Sequence, residues 1–157
     1  MQKSSDDFTG TGSTVCSLWE KGQRPLISLL RDYPYSKAYL LIVVGLSEGL
    51  RRVTESLKPY LDRVRLCVGI RLGEEDRCFA DNSRIFPDPS HRARMKAFCE
   101  SVGKENGFPA NLWFGYEDSQ ALVVFPDTVP NNSLPILWHD RGSWKPLFPA
   151  SGVSRRH

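Results

Sequence analysis

The feature that most restricts this chain is an alternation of two hydrophobic periods. Three apolar runs of strand length stand out, at residues 38–44 (AYLLIVV), 64–70 (VRLCVGI) and 121–125 (ALVVF). Between them the apolar residues recur at helical spacing. The first run is nearly continuous, as a strand buried on both faces is. After it, Leu46, Leu50, Val53 and Leu57 share one helical face, with Ser47 as the N-cap. Arg51, Arg52, Glu55 and Lys58 fall on the other side. After the second run, Asp88-Pro89 reads as an N-cap followed by proline at the first helical position. Met95, Phe98, Cys99 and Val102 then mark an apolar face, and Gly103 or Gly107 ends the helix. Crossovers of this length join parallel strands. The pattern predicts an α/β fold: a Rossmann-like parallel sheet with flanking helices.

Outside this core, residues 13–21 and 25–32 read as helix, broken by Gly22 and Pro25. Beyond Phe125 the chain is dense in proline and tryptophan, which predicts an ordered wrap over the sheet edge. Residues 151–157 are expected to be a disordered tail, leaving 1–150 as the domain.

The chain has 157 residues, enough for one domain with a core that needs neither disulfides nor metal. Its four cysteines, Cys16, Cys67, Cys78 and Cys99, are far apart and lie beside no histidine pair. That spacing argues against a zinc site or a disulfide framework and for reduced thiols in the cytoplasm. A net charge of +3 is too small to make nucleic acid the main partner, though it fits a local basic pocket for an anion. The longest apolar run is far shorter than a membrane span, so no membrane partner is expected.

Chemistry concentrates at residues 6–14 (DDFTGTGST). Two carboxylates, Asp6 and Asp7, precede a run of Gly, Thr and Ser that opens a predicted helix. Gly10 and Gly12 let the backbone turn and approach a ligand closely. The amides from Gly10 to Thr14 can then converge on a phosphate at a helix N-terminus, with hydroxyls from Thr9, Thr11, Ser13 and Thr14 beside them. Asp6 and Asp7 suit sugar hydroxyls or a hard cation, not the phosphate itself. The bland alternative is a mobile turn with solvated aspartates.

These residues resemble the signature of the type I phosphoribosyltransferases: a strand, an acidic pair, two further residues, then a Thr/Gly/Ser phosphate loop opening a helix. The resemblance implies that Asp6 and Asp7 contact the ribose of phosphoribosyl pyrophosphate (PRPP), and that Thr9, Gly10, Thr11, Gly12, Ser13 and Thr14 cradle its phosphate. It also implies Mg²⁺ as cofactor. Residues 114–125 (FGYEDSQALVVF), 130–138 (PNNSLPILW) and 144–149 (WKPLFP) are similar to a phosphoribosyltransferase-like domain found beside bacterial conflict and defence genes.

The chain departs from the family pattern at two places. Residues 1–5 (MQKSS) stand where the family has the end of a buried strand, yet hold one apolar residue. The family's opening strands and pyrophosphate loop have no counterpart ahead of them. The chain is thus expected to be the C-terminal portion of a type I phosphoribosyltransferase fold, a poor enzyme by itself. Gly10 occupies the position of a basic carboxylate in purine-salvage members, so no catalytic residue is assigned. The resemblance leaves two functions as expectations. One is binding of PRPP or a related nucleotide, with phosphoribosyl transfer in the longer form. The other is a non-catalytic nucleotide-sensing or interaction module in a bacterial defence system. A protein partner encoded nearby fits either.

The remaining candidates weigh toward structure. The basic pairs Arg51/Arg52, Arg63/Arg65 and Arg92/Arg94 read first as solvated faces, and second as contacts for diphosphate or nucleic acid. Trp113, Trp138 and Trp144 read as packing residues, with base stacking as the minority role. The acidic turn Glu74, Glu75, Asp76 reads as solvated before it reads as a cation site. Asn131-Asn132-Ser133 reads as a capping turn.

Overall fold

The two strongest apolar runs form β2 (Ala38–Leu46) and β3 (Val64–Leu72), paired in parallel from Ala38↔Val64 to Leu46↔Leu72. The computed structural model describes residues 3–10, 26–126 and 128–148, and only the backbone over residues 3–9. A third strand, β1 (Lys3–Thr9), runs parallel to β2 on its other side, giving the order β1-β2-β3. Its sequence, KSSDDFT, carries little strand propensity, so the backbone ladder and its place in the sheet override composition. The predicted α/β architecture is present.

The chain divides into two compact units, Met1–Gly73 and Glu74–His157. In the first, α1 (Leu26–Asp32) and α2 (Ser47–Leu57) cover one sheet face. Leu30, Leu50, Val53 and Leu57 meet Leu40, Ile42 and Val64 in a buried aliphatic core. Each such side chain contributes about 1.5–3 kcal/mol on full burial. The carbonyls at the end of α1 need donors, and Arg63 supplies them by donating to Leu30 O (2.9 Å) and Tyr33 O (3.0 Å).

Three sequence expectations change here. The first run is not buried on both faces: Tyr39, Leu41 and Val43 are 46%, 41% and 48% exposed, while Leu40, Ile42 and Val44 are buried. Ser47 is the first helical residue and not the cap, because β2 continues through Leu46 and α2 starts directly from it. Its hydroxyl donates instead to Leu72 O at 2.9 Å, tying the ends of β2 and β3 together. Residues 121–125 are no sheet strand. Ala121 makes one parallel bridge, to Ser133, whose hydroxyl both accepts from Val123 N and donates to Val123 O. A side chain thus satisfies the backbone that a neighbouring strand would have paired.

In the second unit α3 (Pro89–Glu105) begins as predicted. Asp88 accepts from the Ser90 and His91 amides, and these bonds, led by that of the Ser90 side chain, hold its carboxyl down to about 2. The helix stops before Gly107, which has φ +67°. Cys99 packs with Cys78 and Leu134, ringed by Phe79, Phe86, Phe114, Ile136 and Leu137. The Pro- and Trp-rich segment folds onto this cluster by side-chain hydrogen bonds. Asn106 Oδ1 accepts from Ser143 N (2.9 Å), Ser143 Oγ (3.0 Å) and Trp144 N (2.9 Å). The predicted helix at 13–21 and tail at 151–157 lie outside the described residues.

Candidate functional site

The loop expected to bind phosphate leaves the carboxyl end of β1. Asp6 is in register with Ile42, Phe8 with Val44 and Thr9 with Gly45, so the acidic pair lies within the strand ladder. Gly10 is the first residue beyond it, bent and buried. Thr11, Gly12, Ser13 and Thr14 lie outside the described residues, as do the side chains of Asp6, Asp7 and Thr9.

The neighbouring part of this edge is built tightly. A Cβ at Gly45 would lie 2.6 Å from Leu50 Cδ2, so glycine there lets α2 turn back immediately onto the strand. Parallel α/β sheets present ligand sites at this carboxyl edge, where loops diverge and helix N-termini point inward. In the first turn of α2, Glu48 binds Arg51 (2.9 Å) and Arg52 (3.0 Å), which hold its carboxyl down to about 2. Arg51 and Arg52 are therefore ion-paired along their own helix.

The other candidates resolve into structural parts. Arg63 caps α1 and sits over the Tyr60 ring at 5.5 Å, whereas Arg65 is exposed on β3. Arg92 donates to Phe86 O at 3.1 Å, and Arg94 is exposed on α3. Asp76 is buried and ion-paired to Arg84, and Glu74 binds Arg77, so the acidic turn is fastened into its own unit. Among the described residues no three His, Cys, Asp or Glu side chains gather as a metal site. Each indole N–H among the described residues donates to a carbonyl: Trp113 to Phe108 (3.1 Å), Trp138 to Ser133 (3.1 Å) and Trp144 to Ile136 (3.0 Å). These rings are packing residues. Burial pushes the Cys78 and Cys99 thiols up to about 12, leaving them poor nucleophiles.

In the Asn131-Asn132-Ser133 turn a carbonyl and a hydroxyl, not the expected amides, meet nearby backbone: Asn131 O accepts from Tyr116 N at 3.1 Å, and Ser133 Oγ bonds Val123. What sequence reasoning missed is the opposing loop at residues 115–120, where Glu117, Asp118 and Gln120 all take positive φ. Only Gly115 hinted at it. Among the described residues no helix is long and apolar enough to cross a membrane.

A family model described as PRTase-CE matches residues 5–150. No curated protein and no solved structure matches the chain.

Proposed function

The chain belongs to the PRTase-CE family, a phosphoribosyltransferase-like family, and on that premise we propose that residues 6–14 bind PRPP or a related nucleotide. The observation that carries this reading is the exit of the loop from a parallel strand at the carboxyl edge of the sheet, with Gly10 as its first residue. Backbone amides beyond Gly10 take the 5-phosphate, with hydroxyls of Thr9, Thr11, Ser13 and Thr14 around it. Asp6 and Asp7 take the ribose hydroxyls.

Carboxylate oxygens are the donors that Mg²⁺ prefers, and Asp6 and Asp7 supply them at this edge. Mg²⁺, when bound with the ligand, stabilises charge on the pyrophosphate. The chain's own contribution is positioning, with the end of β1 setting where the segment after it meets the ligand. Family placement also underlies the proposals that the protein works in the cytoplasm, in bacterial defence, with a protein partner.

Calorimetric titration of PRPP with Mg²⁺ tests the site. The wild type is expected to bind, and Asp6→Asn/Asp7→Asn to lose roughly tenfold or more in affinity, the cost of a few charge-assisted hydrogen bonds. Equal heats in both proteins, or none in either, remove the assignment. Incubation with PRPP and a panel of bases separates the readings: pyrophosphate release marks a transferase, and binding without release marks a sensing module.

A further inference from the structure

Residues 115–120 hold an unusual amount of backbone strain. Glu117, Asp118 and Gln120 have φ of 52°, 54° and 53°, a region in which a residue bearing a Cβ is disfavoured. Gly115, at φ 88°, has no room for a side chain: a Cβ would lie 2.2 Å from Asn132 O. Such a conformation persists only where its surroundings impose it.

The imposing groups are identifiable. Arg77 Nη2 donates to Asp118 O (2.8 Å) and to Asp118 Oδ2 (3.1 Å), while Nη1 is occupied by Glu74. Gln120 O accepts from Cys78 N (3.0 Å), and its Oε1 accepts from Phe79 N (3.0 Å). Ser119 Oγ donates to Asn132 O. Two buried donors around this loop are left without partners, Arg77 Nε and Asn132 Nδ2. Asn132 is more than nine-tenths buried.

The idle Nε matters because of guanidinium geometry. An oxyanion seated on the Nε–Nη2 edge makes two parallel hydrogen bonds, whereas Asp118 reaches Nη2 alone. Displacing the Asp118 carboxylate exchanges one anion for another at Arg77. Its own desolvation is slight, since 60% of that side chain is already exposed. Release from Arg77 requires both Asp118 contacts on Nη2 to go, the carboxylate and the main-chain carbonyl at 2.8 Å, after which the loop keeps its anchors through Ser119 and Gln120.

We propose that residues 115–120 form an oxyanion-responsive switch, a strained loop latched by Arg77 and released when a phosphate or carboxylate ligand takes the Nε–Nη2 edge of its guanidinium. The ligand selects the open loop because only the open loop vacates Nη2. This switch is independent of the nucleotide site proposed at residues 6–14.

Hydrogen exchange of the amides of residues 116–120 tests the latch, with inorganic phosphate and acetate as separate probes and chloride as the ionic-strength control. Phosphate, acetate or both are expected to speed exchange in the wild type by roughly tenfold, the effect of removing one charge-assisted contact. The responding probe identifies the oxyanion class. Arg77→Lys, which cannot offer two parallel donors, is expected to exchange fast without any probe and to respond to neither. Asp6→Asn/Asp7→Asn is expected to keep the full response, which separates this switch from the nucleotide site. Should Arg77→Lys not fold, Asp118→Asn weakens the latch from the other side and must show the same fast exchange. Slow exchange in these variants, no response to either probe, or a response surviving in Arg77→Lys overturns the proposal. The strain itself is read by Glu117→Gly against Glu117→Ala: the glycine variant is expected to melt higher by several degrees. Equal or reversed midpoints count against a strained loop.

Discussion

Among the described residues of Met1–Gly73 a parallel ladder pairs the strand backbone, and the side chains beneath it are aliphatic. In Glu74–His157 the only long regular element among the described residues is α3, and side chains take over the pairing that strands provide elsewhere. Ser133 stands in for a strand opposite Val123, Asn106 holds a turn 37 residues away, and three indoles find carbonyls. Every buried polar or charged residue among those described, from Asp76 to Ser133, falls in the second unit. The contrast is between an architecture that tolerates exchange of one aliphatic for another and one in which individual polar atoms are irreplaceable. A ladder distributes its energy along the strand; a staple concentrates it in one residue.

The largest blow to the first unit is Leu40→Ala, at a side chain 1% exposed in the centre of its core. We expect a loss of about 2–5 kcal/mol in urea unfolding, with Leu40→Met costing less than about 1.5 kcal/mol. A Met variant as damaging as the Ala variant contradicts a tolerant aliphatic core. In the second unit, Asn106→Ala removes one acceptor from three donors at once. About 1–3 kcal/mol is expected, together with lost exchange protection at Ser143 and Trp144 and unchanged protection along β2 and β3. Protection lost evenly across the chain refutes a local staple.

The smallest effect is a pH dependence. His139 lies edge-on to the Phe108 ring at 4.7 Å and the Trp138 ring at 5.1 Å, with Nε2 buried and unpartnered. Burial, and then Arg141, lower its pKa below the ordinary 6.5, against a smaller opposing effect of Asp140. The unfolded chain therefore takes up a proton first as the solution is acidified. The stabilising contribution of neutral His139 is complete above about pH 6.5 and declines below it until the lowered folded value is reached. Unfolding midpoints measured between about pH 7.5 and 5.5 should fall more steeply in the wild type than in His139→Gln. Parallel slopes exclude His139 as the source.

The same contrast explains what can be read from the amino acids. The strands β2 and β3, and the helices α2 and α3 with the Asp88-Pro89 start, all carry local periodicity or local caps, which a sequence displays directly. β1 is legible only through the family signature, since Lys3, Ser4 and Ser5 form a strand by pairing and not by hydrophobicity. Residues 121–125 mislead because the pattern ALVVF reports what a segment can bury, not whether a hydroxyl such as that of Ser133 already occupies its backbone. The open face of β2 is equally invisible: Tyr39, Leu41 and Val43 are apolar whether covered or not. At the candidate site, the sequence names the residues proposed to bind phosphate, while their place at the end of a parallel strand comes from the ladder. The clamp of Arg77 on Asp118 spans 41 residues, and no local spacing announces a contact of that range.

The close approach at Gly45 reaches beyond packing into how this chain can diverge. A Cβ there would lie 2.6–3.0 Å from three Leu50 side-chain carbons, so enlarging residue 45 obliges that side chain to shift or shorten, whereas residue 50 can shorten by itself without a clash. The coupling therefore has a direction: a smaller residue 50 opens the way for a larger residue 45, and not the reverse.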